Sequence, residues 1–369
     1  MNRLSCAGMV LTSLLYLSLP AFAQQQLVSS SPVTQQPASP TDGAKNQLVL
    51  DIVVTDKSGT PIKGLEEKNF SVRDKGQPAK IVSFHAVDTL STTGSADNLP
   101  VKIILFIDEL NTSFNRLASE RIELERFLQQ NGGKLPHPVA MYFFSQTGLE
   151  KQNDFTTDGN ALKTLLDKHV TELRTDQRAQ GFYGDQQRFQ RSLNALNAIA
   201  GSEVNEPGRK IMIWVSPGWP ILAGANVTIS ANDQKALLTS IIAVSTALRA
   251  ARMTVDMVDP LGARDQKDVQ QQGVNYYEEF LKPVTDAKSV EAGHLALQVI
   301  AVHSGGLVLN VNNDISGELN RCIADGSTYY TFTLDKSSTD KPDTYHAIEV
   351  KVDTPKVTAR TLRGYYTRP

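Results

Sequence analysis

The sequence predicts an α/β domain with a doubly wound, mostly parallel sheet, inserted between N- and C-terminal β-strands that pair in a small β-sandwich. Three observations predict it. Between Pro100 and Gly326, short apolar runs alternate with stretches of helical periodicity. Before them, from Leu48 to Phe84, period-two patterns are separated by Gly-containing turns, and after Tyr329 strand patterns return. Strands alternating with helices imply a sheet covered on both faces. Either flanking set of strands alone would leave an exposed edge and an uncovered face, so the two sets are expected to pair.

Residues 1–23 read as a signal peptide. Arg3 precedes an apolar stretch from Met9 to Leu19, too short for a spanning helix of about 20 residues. Ala21-Phe22-Ala23 supplies the small residues that a signal peptidase accepts before Gln24-Gln25-Gln26. The mature chain is expected to begin at Gln24 and to be exported, to the periplasm or beyond. Cys6 leaves with this leader, so Cys322 stands alone and no intramolecular disulfide is expected. Residues 24–46 are rich in Gln, Ser, Pro and Thr and nearly devoid of large apolar side chains, the composition of a disordered leader.

Lys and Arg number 37 against 39 Asp and Glu, a formal balance of −2. The basic patch of a nucleic-acid binder is missing. No later apolar run reaches spanning length, so no transmembrane segment is expected after cleavage.

Residues 47–90 hold the N-terminal strands. Leu48, Leu50, Ile52 and Val54 alternate with their neighbours, the turn Asp56-Lys57-Ser58-Gly59 follows, and Phe70–Val72 and Ile81–Phe84 flank the turn Asp74-Lys75-Gly76-Gln77. Residues 99–325 hold the α/β domain. Val101 to Ile107 is an almost unbroken apolar run, as a central strand buried on both faces requires. Thr112 or Ser113 then caps a helix with Leu117, Leu124, Phe127 and Leu128 on one face. Val139–Phe144 is a strand, a hairpin through Gly148 leads to a short strand near Phe155, and Asp158 caps a helix carrying Leu162, Leu165, Leu166, His169, Val170 and Leu173. Phe189, Leu193, Leu196 and Ala200 mark another helix. Lys210–Val215, Thr254–Val258 and Leu307–Leu309 are strands; Leu237–Leu248 and Val290–Val302 are helices; a short helix starts at Asp314. Residues 326–369 return to β-structure at Tyr329–Leu334, His346–Val352 and Val357–Tyr365.

The run Ile104-Leu105-Phe106-Ile107-Asp108 with Asn111-Thr112, the strand end Trp214-Val215-Ser216-Pro217-Gly218, the segment Ser304-Gly305-Gly306-Leu307 with Asn313-Asp314, and the tail Tyr329-Tyr330 through Arg363-Gly364-Tyr365 are similar to the von Willebrand factor A-related (VWFA-related) secreted proteins of Acidobacteria. The resemblance runs from about Leu48 to the C-terminus. It implies a von Willebrand A-like, Rossmann-like sheet and a secreted location, rather than a particular reaction.

Domains of the wider class hold a divalent cation at the carboxyl end of the sheet, through an Asp-x-Ser-x-Ser motif, a Thr from a later loop and an Asp after the fourth strand. Mg2+ favours such octahedral oxygen sets with a position left for a partner's carboxylate. Here Asp108 matches the first position and Thr112 the third, but Leu110 stands where the first hydroxyl belongs. The segment Ser216-Pro217-Gly218 has no acid after the fourth strand. Thr175 and Asp176 lie roughly where the Thr loop belongs, and Asn111, Ser113 or Glu109 could supply oxygens by a small backbone shift. The resemblance thus implies a degenerate site. No cofactor is expected, and any resident ion would be Mg2+ or Ca2+. The alternative reading makes Asp108 a helix cap or an acceptor for loop amides.

The function this suggests is an exported, non-catalytic binding or adhesion module that recognises an unidentified protein or surface ligand at the carboxyl edge. Asp108, Asn111, Thr112, Phe114, Ser216 and Trp219 are the expected contacts, Trp219 as an aromatic anchor or as a cover over a helix end. A hydrolase using Ser216 is one alternative. It lacks the Gly-x-Ser-x-Gly elbow, and Pro217 removes the amide that would complete an oxyanion hole. A structural role in envelope assembly is the other. No His pair has zinc spacing, no phosphate loop is present, and His169 and His303 sit on apolar helix faces as packing residues. Gly305 is expected to end a helix in the left-handed conformation.

Overall fold

The computed structural model describes residues 47–89, 99–152, 154–169, 182–220, 230–260, 276–310, 312–336 and 340–367. The expected signal peptide and leader, together with Val170, Leu173, Thr175 and Asp176, lie outside the described residues.

The N-terminal strands are β1 (Gln47–Thr55), β2 (Phe70–Asp74), β3 (Gln77–Pro78) and β4 (Lys80–Asp88). The β2–β3 hairpin turns through Lys75 (φ 50°) and Gly76 (φ 76°), the pair of positive φ values that a tight two-residue turn needs. The α/β segment then runs β5 (Lys102–Asp108), α1 (Phe114–Leu128), β6 (Lys134–Phe144), β7 (Leu149–Lys151), β8 (Thr156–Asp158), α2 (Gly159–Lys168), α3 (Phe182–Glu203), β9 (Lys210–Val215), α4 (Ala231–Ala250), β10 (Met253–Val258), α5 (Leu297–His303), β11 (Val308–Leu309) and α6 (Ile315–Ala324). The C-terminal strands are β12 (Thr328–Asp335), β13 (Tyr345–Val352), β14 (Thr358–Arg360) and β15 (Gly364–Tyr366).

The seven-stranded sheet has the order β11-β10-β9-β5-β6-β7, with β8 also pairing β6. Strands β11, β10, β9, β5 and β6 run parallel, and β7 and β8 are antiparallel to β6. Both faces are covered. Leu124, Phe127 and Leu128 of α1, Leu162 and Leu166 of α2, and Ile315, Leu319 and Ile323 of α6 share one apolar cluster with Ile103, Leu105 and Ile107. Leu193, Leu196 and Ile199 of α3, Val244 and Leu248 of α4, and Leu297 and Ile300 of α5 share the opposite cluster with Ile104 and Phe106. The chain leaves β5 to one side for β6 and returns on the other at β9, so the strand order reverses between β5 and β9. Ligand sites in such sheets lie at that reversal, beyond the carboxyl ends of the strands.

The N- and C-terminal strands pair with each other. One four-stranded sheet has the order β14-β1-β12-β4 and another β15-β13-β2-β3. Leu48, Leu50, Ile52, Phe70, Val72, Tyr330, Phe332, Ile348 and Tyr365 from both sheets form a single apolar cluster. Arg252, just before β10, pairs with Asp51 of β1, and Arg360 of β14 pairs with Asp325 after α6, so charged pairs tie these strands to the α/β segment.

Three expected elements differ. The helix expected over Val290–Val302 is a 3-10 turn at Ala292–Leu295 followed by α5 from Leu297. Glu291 and His294 form a reciprocal capping box there, and a Cβ on Gly293 would fall 2.5 Å from the Phe280 ring, so the segment is fitted to that ring rather than to helical continuity. The helix after Asp158 stops at Lys168, with His169 as its C-cap. The expected strand Val357–Tyr365 is two strands, because Arg363 N–H donates to His303 O and Thr361 Oγ1 to Asp51 O between them. Gly305 ends α5 at φ 89°, as expected. Among the described residues no helix is long and apolar enough to cross a membrane.

Candidate functional site

Strand β5 delivers Asp108 to the carboxyl edge, and parallel registers set Ile107 beside Val215 and Val215 beside Val258. Asp108, Ser216 and Asp259 therefore follow in one row across three adjacent strands. Asp108 is 0% exposed. Its Oδ1 accepts from Asn111 N–H at 3.0 Å, and its Oδ2 accepts from Asn111 Nδ2 at 2.8 Å, Trp214 Nε1 at 2.9 Å and Ser216 Oγ at 2.9 Å. Burial pushes this carboxyl above its ordinary value, and the bonds from Asn111, Trp214 and Ser216 oppose that shift. Charge-assisted bonds of this kind are about twice as strong as neutral ones. They make Asp108 the centre of a polar knot joining β5, β9 and the loop before α1.

Trp219 lies behind this knot. It is 5% exposed and packs edge-on against Trp214, ring centroids 5.2 Å apart, and against Phe189 of α3. The expectation of an aromatic anchor for a partner is corrected: the ring faces the core over the end of β9. Ser216 is also fully buried, donating to Asp108 and accepting from Gly218 N–H at 3.1 Å. Its hydroxyl does not meet solvent, either as a partner contact or as a nucleophile.

The residues fit a divalent ion poorly. Leu110 is buried in the apolar cluster under α3, and an ion at Asp108 would have to displace donors from Trp214 and Asn111. Two uncharged oxygens of this loop, Asn111 Oδ1 and Thr112 Oγ1, have no hydrogen-bond partner, and Thr112 is buried. Ser113 is the N-cap residue of α1, but its side chain makes no cap bond. Among the described residues no group of three or more His, Cys, Asp or Glu side chains is arranged to hold a metal ion.

Phe114, the first residue of α1, is 56% exposed. Beside this loop the edge opens into a recess of about 400 Å3 lined by Phe143, Ser145, Thr147, Glu150, Lys168 and His169. His169 forms its floor. Its ring stacks on Phe143 with centroids 3.7 Å apart, and its Nε2 lies 2.9 Å from Oε1 of the buried Glu109. Nδ1 stands 3.5 Å from Oε2 of Glu150, whose side chain is 69% exposed. Arg191 of α3 donates to Ser145 O and Gln146 O and so fixes the hairpin wall. Arg121 of α1 donates to Leu166 O and His169 O, closing the end of α2, where a cation suits the helix dipole.

Glu109 thus meets His169, and His169 is more than a packing residue. The sequence carried no signal that would join them, since they are 60 residues apart and only the fold makes them neighbours. His303 meets the packing expectation better. Burial and Arg363 push its imidazole down to about 4.

No protein-family model matches the chain, and none of the curated proteins matches it in sequence. Among solved structures it is similar to the pilus adhesin SpaC of Lactobacillus rhamnosus GG, at 11% identity and a TM-score of 0.38, over 83% of this chain and 48% of the adhesin. It is similar to proximal thread matrix protein 1 of the mussel byssus, at 14% identity and a TM-score of 0.32, over 61% of this chain and 48% of that one. The VWA domain of SpRpn10 is matched at 8% identity and a TM-score of 0.30, over 60% of this chain and 95% of that domain. The chain spans about half the length of the adhesin and of the byssus protein.

Proposed function

We propose that this chain is an exported, non-catalytic binding or adhesion module that recognises a protein or surface ligand at the carboxyl edge of its α/β sheet. Its fold is von Willebrand A-like, with a degenerate metal motif, and the two outer four-stranded sheets form a small β-sandwich around which the inserted domain is built. The observation that carries the reading is the division of labour at that edge. The Asp108 carboxylate and the Ser216 hydroxyl are consumed by an internal knot, while Phe114 and the recess floored by His169 stand open. Exposed aromatic side chains are typical anchors of protein interfaces. Binding at this place would not require a divalent ion, because the recess is served by Glu109, Glu150 and His169 rather than by Asp108.

Capture from an envelope fraction tests the reading. The wild-type chain, Phe114→Ala and His169→Ala, each immobilised at equal density, are washed in EDTA or in Mg2+. The expected result is a partner retained by wild type in both buffers and reduced at least tenfold by either substitution. A partner retained equally by all three proteins contradicts the assigned surface.

A further inference from the structure

Glu120 stands in α1 where the helix's own pattern calls for an apolar side chain. Leu117, Leu124, Phe127 and Leu128 make the buried stripe of that helix, and Glu120 falls between the first two, only 1% exposed. Neither of its carboxylate oxygens has a hydrogen-bond partner. An ionised carboxylate in such a place would bear its desolvation cost with nothing to offset it.

The surrounding charges add to that cost. Asp108 and Asp259 follow the aligned strand ends of β5 and β10, and Glu109 follows Asp108. After burial, these three carboxyls are the causes that hold Glu120 well above its ordinary value. The nearby cations are engaged elsewhere. On α1 itself Arg121 serves Glu125 and the carbonyls ending α2, and on α2 Lys163 pairs with Asp167 and Glu125. His169 is held by Glu109. Arg116, Glu123 and Arg126 of α1, Lys168 of α2, and Glu318 and Arg321 of α6 complete the charged groups on the packed helices, and none of them hydrogen-bonds to Glu120.

We propose that Glu120 is a proton-binding latch. Its neutral carboxylic acid keeps the first turns of α1 seated on the sheet, and loss of the proton unseats them together with Asn111–Phe114 at the carboxyl edge. The consequence for partner binding rests on the function proposed above; the proton binding does not. The unfolded chain ionises this carboxyl near the ordinary glutamate value of 4.5, while the folded chain retains the proton to higher pH. Through that window the folded-to-unfolded ratio falls by up to about tenfold per pH unit. Asp256 and Glu318, both pushed up to about 7 mainly by burial, act with the same sign, so only the difference between wild type and a Glu120 variant isolates the latch.

The test is denaturant unfolding across pH 5 to 9 on wild type, Glu120→Gln and Glu120→Leu, with hydrogen-exchange protection of the amides of residues 111–118. The expected result is that wild type loses at least tenfold in folded-to-unfolded ratio relative to both variants between pH 5 and 8, and that protection at 111–118 falls with pH in wild type alone. Parallel pH curves would overturn the proposal. So would a wild-type slope abolished by 10 mM CaCl2 or MgCl2 but not by matched NaCl, because a cation would then occupy the site. Should neither variant fold, pH-independent protection at 111–118 in wild type would overturn it as well.

Discussion

Asp108 at the carboxyl edge of the sheet and Glu120 on α1 are carboxyl side chains buried to nearly the same degree, yet they meet opposite environments. Asp108 gathers four donors from three residues, Asn111, Trp214 and Ser216. Glu120 gathers none and faces three other acids. Burial alone therefore says little about what a carboxylate does. The supply of donors decides whether it binds the fold together or strains it, because a satisfied buried charge contributes while an unsatisfied one carries its full desolvation cost.

The largest effect should come from breaking the satisfied member of the pair. Asp108→Ala strands Trp214 Nε1, Ser216 Oγ and the Asn111 donors in the interior and should lower unfolding free energy by about 3–5 kcal/mol, measured by denaturant titration at pH 7. Glu120→Leu at the same pH should instead be neutral or stabilising. A large loss in both variants would erase the contrast. Trp219→Ala, which opens a cavity beside the knot, should cost about 3 kcal/mol. The same titration checks it, and a cost below about 1 kcal/mol would mean that Trp219 does not pack there.

Acid should act through different groups from alkali. His137 is buried, bonded to Ser327 Oγ, and pushed down to about 4 by burial and Arg209. A histidine held neutral in the fold loses stability as pH falls from its unfolded value near 6.5 to about 4, by up to about 3 kcal/mol. His137→Gln should make that slope shallower, leaving the share that His303 contributes with the same sign, and should leave the alkaline limb unchanged. The smallest stability effect belongs to the open side of the edge. Phe114→Ala should change unfolding free energy by no more than about 0.5 kcal/mol while weakening partner binding by about 2 kcal/mol, and a loss of both together would place Phe114 in the fold rather than in the interface.

The central strands were legible in the sequence because β5, β6 and β9 are continuous apolar runs, which only a doubly covered sheet accommodates. The cap at Asp158 and the left-handed Gly305 were legible because each is a local matter of one residue and its backbone. Asp108 as an acceptor for loop amides was legible for the same reason, whereas its bond to Trp214, 106 residues away, was not. What periodicity cannot supply is the identity of a neighbour. His169 showed its apolar face but not Glu109, and Trp219 showed a place in the chain but not the direction of its ring. Glu120 did leave a sequence trace, an acid in an apolar stripe. The broken segment before α5 left none, since its course follows the Phe280 ring.

Thermal unfolding of wild type and Asp108→Ala at pH 7, with EDTA and with 10 mM MgCl2, tests the role of Asp108 most directly. If Asp108 is an internal knot, the wild-type transition is the same in both buffers and the variant unfolds many degrees lower in each. A wild-type transition raised several degrees by Mg2+, and a gain lost in Asp108→Ala, would contradict that role and return Asp108 and Thr112 to the ligands of a metal ion.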